Sequence, residues 1–154
     1  AAGSHLDFDL ELAKRESQEN PVYYVQYAHA RLASLERKAV ELKIPPPSSD
    51  TVRLNLLSLP EEIEMIRLIH EYPEEVSRAA TQMEPHRIPF YLLELARAFQ
   101  SYYTKAKEDL RYRVLSGDVD TSQAKMYLCR ALKLTFSQGL KLIGVSAPEE
   151  MRQD

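Results

Sequence analysis

Prolines divide this chain into segments whose apolar residues recur every three or four positions. Asn20 is a typical N-cap before Pro21 at a first helical position, and the helix that follows must end before the prolines at 45–47. The apolar positions of this first segment are Val25, Ala28, Leu32, Leu35 and Val40. Such spacing is typical of one buried helical face, so the segment is predicted to be an α-helix.

The middle of the chain carries two more start and stop signals. Ser58 and Glu61 match a capping box, which predicts that Ser58 caps a helix with an apolar stripe at Ile63, Ile66 and Ile69. Pro73 is predicted to end this helix and to start another that runs to about Met83. The alternating residues Val52, Leu54 and Leu56 are too few for a strand and indicate a loop or a helix entry.

Two long helices are predicted in the second half. Pro85 breaks the chain, and the next apolar stripe comprises Ile88, Tyr91, Leu92, Leu95, Phe99 and Tyr102. Asp118 and Asp120 are cap candidates for a last helix over about 122–143, and Gly144 follows it where a C-terminal cap belongs. The predicted fold class is therefore all-α, a helical bundle without a fixed internal repeat.

Composition limits the class of protein. The chain has 154 residues, 44% of them apolar and 28% charged, which suits one soluble domain with a core. No apolar run approaches the roughly 18 residues of a membrane span, and no secretory signal is visible. The single Cys129 cannot form an internal disulfide and is predicted to lie in the core. These features favour a reducing, cytoplasmic setting without a membrane partner.

The net charge of −3 does not by itself favour nucleic-acid binding. The charges separate along the chain, however: residues 58–75 hold six glutamates and one arginine, whereas residues 122–144 hold four basic residues and no acidic one. A further basic cluster comprises Lys105, Lys107, Arg111 and Arg113. Ordinary solvated helix faces would give the same pattern, so charge alone leaves the question open.

The residues needed for catalysis or metal binding do not occur in a recognisable pattern. His29, His70 and His86 do not form the i, i+4 pair of a helical zinc site, and four scattered glycines do not make a phosphate loop. No serine or cysteine has the sequence context of a nucleophile. Neither catalytic residues, nor a metal site, nor a cofactor is predicted in this chain.

The run from Pro21 to Arg31 is rich in tyrosine. Tyr24, Tyr27 and Arg31 are three and four residues apart, so they share one face of the predicted helix. Aromatic rings beside a guanidinium can hold unstacked bases next to a phosphate backbone. Tyrosines that line a core are the alternative, and Tyr23 and His29 are assigned to such structural roles.

Several short motifs occur in a fixed order along the chain. They are Pro-Val-Tyr-Tyr-Val-Gln-Tyr-Ala-His-Ala-Arg at 21–31, Glu-Glu at 61–62 with Tyr-Pro at 72–73, Pro-His-Arg at 85–87, Tyr-Leu at 91–92, the aromatic pair at 102–103, Gly-Leu at 139–140 and Ala-Pro-Glu-Glu-Met at 147–151. Together they resemble the C-terminal anticodon-binding domain of arginyl-tRNA synthetases. The resemblance covers residues 7–151.

The resemblance implies a division of the chain and a parent enzyme. Residues 1–5 read as a cloning remnant, residues 6–19 as the end of the catalytic domain or a connecting helix, and residues 20–154 as the anticodon-binding domain. The implied parent is a cytoplasmic, monomeric class I ligase that joins arginine to its tRNA with ATP and Mg²⁺. Its catalytic signatures do not occur here, so this chain is expected to bind the tRNA(Arg) anticodon stem-loop beside the parent's catalytic domain, without catalysis.

The family pattern also assigns site residues. Tyr24 and Tyr27 would flank splayed bases, Arg31 would contact the backbone or a base edge, and Tyr103 and Met151 would complete the pocket. Two further candidates are less firmly matched: Tyr102, and Lys107, which stands where some family members have an aromatic residue. The alternative functions are a helical protein-interaction module and an anticodon-type domain of another synthetase, such as the glycyl β subunit.

Overall fold

The structure, a computed structural model, describes residues 20–152 and is all-helical over that range. Its four α-helices are α1 (Pro21–Glu41), α2 (Pro60–Thr81), α3 (Arg87–Lys105) and α4 (Val119–Leu142). Two short 3₁₀ helices span Leu54–Leu56 and Leu110–Tyr112. The predicted all-α bundle is confirmed, whereas the predictions for residues 1–5 and 6–19 lie outside the described residues.

Helix α3 lies at the centre of the bundle and packs against the other three α-helices. Its buried stripe includes Leu92, Leu95 and Phe99, which meet Leu32 of α1 and Phe136 of α4 in one continuous core. Burial of this apolar surface is the main stabilising contribution to such a bundle. None of the described helices is long and apolar enough to cross a bilayer.

The start of α1 follows the sequence signals. The Asn20 side chain accepts a hydrogen bond from the Val22 backbone N–H at 3.0 Å, and Pro21 occupies the first helical position. In the last helix, the Asp118 side chain caps the start of α4, and Gly144 adopts a positive φ of 75° beyond the last turn. These caps satisfy backbone groups at the helix ends and so define where α1 begins and where α4 begins and ends.

Two predictions about α2 are wrong. Leu59, not Ser58, is the N-cap, because Pro60 begins the helix, and the Glu62 carboxylate rather than Glu61 accepts from the cap backbone N–H at 3.0 Å. Pro73 lies inside α2 and does not end it. Packing of α2 residues on both sides of Pro73 against the core outweighs the lost backbone hydrogen bond.

A polar cluster is buried between α2, α3 and α4. Glu62 is 0% exposed and Lys125 is 4% exposed, and their charged groups are 3.8 Å apart. The Tyr102 hydroxyl donates to the Glu62 carboxylate at 2.7 Å, while the Lys125 ammonium donates to the backbone carbonyls of Arg111 and Arg113. Burial lowers the pKa of Lys125, and the charge of Glu62 opposes that shift. The cluster thereby attaches the segment after α3 to the core.

Cys129 lies in the core, as predicted, at 2% exposure. Burial raises the pKa of its thiol to about 12, so it remains protonated at neutral pH and does not act as a nucleophile.

Candidate nucleic-acid interface

Helix α1 presents Tyr27 and Arg31 on one face, one turn apart. Val25, Ala28 and Leu32 are buried on the neighbouring face, so Tyr27 and Arg31 lie half-buried at the edge of the core. The Arg31 guanidinium donates a hydrogen bond to the Tyr27 hydroxyl at 2.7 Å. The i, i+4 spacing noted in the sequence therefore brings an aromatic ring and a cation into direct contact.

Tyr103 joins this pair from α3, more than 70 residues away in the sequence. The Cζ atom of Arg31 lies 4.4 Å from the centroid of the Tyr103 ring and 4.7 Å from that of Tyr27. Both distances are within the range of cation–π attraction, which is worth about 0.5–1 kcal/mol at an exposed site. The guanidinium is held between two tyrosines, and Tyr103 also packs on Phe99 with ring centroids 5.9 Å apart.

The C-terminal tail, residues 145–152, lies along α1. Side chains of α1 donate hydrogen bonds to backbone carbonyls of the tail: Tyr23 to Arg152, Gln26 to Ser146, His29 to Pro148 and Arg37 to Glu149. The shortest of these bonds is 2.8 Å long and joins Nδ1 of His29 to the carbonyl oxygen of Pro148. Because a carbonyl oxygen can only accept, Nδ1 carries the hydrogen. His29 is 2% exposed, which agrees with its assignment to packing.

Helices α1 and α3 and the C-terminal tail border an open cavity of about 610 Å³. It is lined by Tyr27, Ala30, Arg31, Ser34, Arg37, Tyr103, Glu150, Met151 and Arg152. Four of the residues predicted from the sequence therefore line one space, although they come from α1, α3 and the tail. Three guanidiniums and one carboxylate belong to its lining, together with two aromatic rings and a thioether. Such a lining suits an unstacked base with a phosphate beside it.

The other predicted residues lie elsewhere. Tyr24 does not line this cavity: it packs partly buried against the core, and burial raises the pKa of its hydroxyl. Tyr102 is 1% exposed and bonded to Glu62, which corrects its candidate role because a ligand cannot reach its ring. Lys107 is exposed and lines a separate cavity that also has Tyr103 in its lining.

Sequence reasoning missed Ser34 and Arg37 of α1 and Arg152 of the tail. The signal for the α1 residues was present, since Tyr27, Arg31, Ser34 and Arg37 continue one helical face in steps of four, three and three. Arg152 had no periodic signal, because its place depends on the path of the tail. Among residues 20–152 there is no group of three or more potential metal ligands close enough to hold an ion.

We predict that His29→Ala loosens the tail. The change leaves the Pro148 carbonyl without its buried donor, at a cost of about 1–3 kcal/mol in tail attachment. The ¹H–¹⁵N heteronuclear NOE of residues 146–152 should fall while that of the four helices stays the same. His70→Ala, at an exposed position on α2, is the matched control. Unchanged NOE values in the tail of the His29 variant would contradict this role.

Comparison with known proteins places the chain in a family. The model of the DALR anticodon binding domain matches residues 25–151. The chain is 51% identical over 150 residues to the arginine–tRNA ligase of Desulfosudis oleivorans, and 48% identical over 148 residues to that of Syntrophotalea carbinolica. In both cases it covers 26% of the relative and 96% of itself. The chain thus spans about a quarter of the length of these relatives.

A solved structure has the same arrangement of helices. The chain superposes on the arginyl-tRNA synthetase of Thermus thermophilus with a TM-score of 0.67 and 32% identity, covering 83% of this chain and 21% of that one.

Proposed function

Because this chain belongs to the DALR anticodon binding domain family, we propose that it binds the anticodon loop of an arginine tRNA. The observation that carries the proposal is the convergence of Tyr27, Arg31, Tyr103 and Met151 on one cavity. Aromatic faces and cations together are the chemistry that holds single-stranded RNA, and a cavity of about 610 Å³ has room for an extruded base.

Each residue has a distinct role in the proposed complex. The rings of Tyr27 and Tyr103 stack on splayed bases, and Met151 packs its flexible thioether on a base face. Arg31, held between the two rings, contacts a phosphate or a base edge from its remaining N–H groups. Tyr24 is left out of this set, since it does not line the cavity.

The longer protein proposed here is an arginine–tRNA ligase, as the names of its relatives suggest. We further propose that it is cytoplasmic and monomeric. Its catalytic domain is the second partner of this chain, and ATP and Mg²⁺ bind outside the residues described here.

The test is a fluorescence titration of the purified chain with the anticodon stem-loop of an arginine tRNA. We expect at least about tenfold tighter binding than to the same stem with a scrambled loop, a difference of about 1.4 kcal/mol. The family resemblance implies that the middle anticodon base, a cytidine, is read, so a loop with uridine at that position should also bind more weakly. Equal affinity for all loops, or no binding, would contradict the proposal and favour a protein-interaction module.

A further inference from the structure

A second cavity of about 560 Å³ shares Tyr103 with the first. Leu35, Val114 and Leu115 contribute an apolar floor, whereas Lys38, Lys107 and Arg113 contribute cations. Tyr103 lines both cavities, so the two spaces are neighbours across one aromatic side chain. The second cavity thus combines an apolar surface with a positively charged rim.

The three rim cations make no ion pair with the residues that the structure describes. Two nearby carboxylates have other partners: Glu61 pairs with Lys105, and Asp109 pairs with Arg111 at 2.7 Å. The described residues that line the second cavity include no carboxylate. Its positive charge is therefore available to an anion.

The rim is also held in place. The Lys125 ammonium donates to the carbonyls of Arg111 and Arg113, and the Tyr112 hydroxyl donates to the Glu61 carboxylate at 2.8 Å. The segment that carries Arg113 is thereby fixed to α2 and α4 before any ligand arrives. A site that is already ordered loses less entropy on binding.

We propose that the second cavity binds the nucleotide next to the one in the first cavity, with its base on the apolar floor and its phosphate on the three cations. The inference rests on the proposed RNA-binding function and adds Lys38 and Arg113 to the contact surface. The RNA strand then passes over Tyr103, which separates two consecutive bases.

The salt dependence of binding tests this site. For a single strand, the slope of log K against log salt becomes steeper by about 0.7 for each phosphate that the protein neutralises. One such contact is therefore worth about fivefold in affinity when the salt concentration is lowered from 1 M to 0.1 M. The variant K38Q/R113Q, which removes two of the three cations around one phosphate, should therefore reduce the steepness by about 0.7 and weaken stem-loop binding about fivefold. K141Q, which removes an exposed cation at the end of α4, is the control and should change neither value.

Neutral methylphosphonate linkages, placed one at a time in the loop RNA, identify the phosphate. One linkage should weaken binding to the wild-type chain and have no further effect on K38Q/R113Q, as expected when the two changes remove the same interaction. An unchanged salt slope in K38Q/R113Q, an equal weakening in K141Q, or fully additive effects at every linkage would overturn the second site while leaving the proposed function intact. Absence of RNA binding by the wild-type chain would overturn both. Circular dichroism must first show that each variant retains its helical content.

Discussion

Alanine in place of Glu62 is expected to lower the free energy of unfolding by about 3–5 kcal/mol, the range for breaking one side of a buried ion pair. The Lys125 ammonium would remain buried without the carboxylate 3.8 Å away. The Tyr102 hydroxyl and the Leu59 backbone N–H would also be deprived of the acceptor they share. Urea denaturation followed by far-UV circular dichroism measures the change.

Glu64→Ala is the control for this experiment. Glu64 lies on the same helix, but it is exposed and pairs with Arg67 on the surface, where solvent screens the pair and it adds little to stability. The double variant Glu62→Leu/Lys125→Met should recover part of the stability, because it removes both buried charges together. If Glu62→Ala and Glu64→Ala were equally stable, the buried cluster would not be supporting the fold.

Tyr103→Ala is expected to weaken binding of the arginine anticodon stem-loop by about 3 kcal/mol, or roughly 150-fold, the upper part of the range for one stacking residue. Tyr103 lines both cavities, and its ring holds Arg31 at 4.4 Å. Loss of the ring therefore removes a stacking surface, and it also removes one of the two aromatic rings that hold the Arg31 guanidinium in place. A fluorescence titration measures the affinity.

Two further variants separate stacking from other causes. Tyr103→Phe keeps the ring and should bind nearly as well as wild type. Tyr127→Ala removes a half-buried tyrosine from α4, which lines neither cavity, and should leave RNA affinity unchanged. A folded Tyr103→Ala variant with wild-type affinity would show that the ring does not contact the RNA.

The helices could be predicted from the sequence because their signals are local. Asn20 and Pro21 fix the start of α1 through the backbone of neighbouring residues, and the apolar period identifies its buried face. The continuation of α2 through Pro73 could not be predicted in this way. It depends on packing against other helices, which outweighs a local preference for breaking the helix.

The candidate site, too, could be predicted from the sequence only in part. Tyr27 and Arg31 could be paired from their spacing alone, whereas Tyr103 and Met151 were added through the family resemblance. Tyr102 and Tyr103 illustrate the limit: adjacent residues on a helix point about 100° apart, and only the packing of α3 decides which ring is buried. The Glu62–Lys125 pair had no sequence signal, since its two residues are 63 positions apart.

Helix α1 carries two sets of contacts, with the C-terminal tail through Tyr23, Gln26 and His29, and with the first cavity through Tyr27 and Arg31. Because one residue more or less turns the rest of an α-helix by about 100°, a single-codon insertion or deletion between residues 23 and 31 would misalign the later of these contacts with the earlier ones. Point mutations can alter these contacts separately. This part of the sequence should therefore tolerate substitutions far better than changes in length.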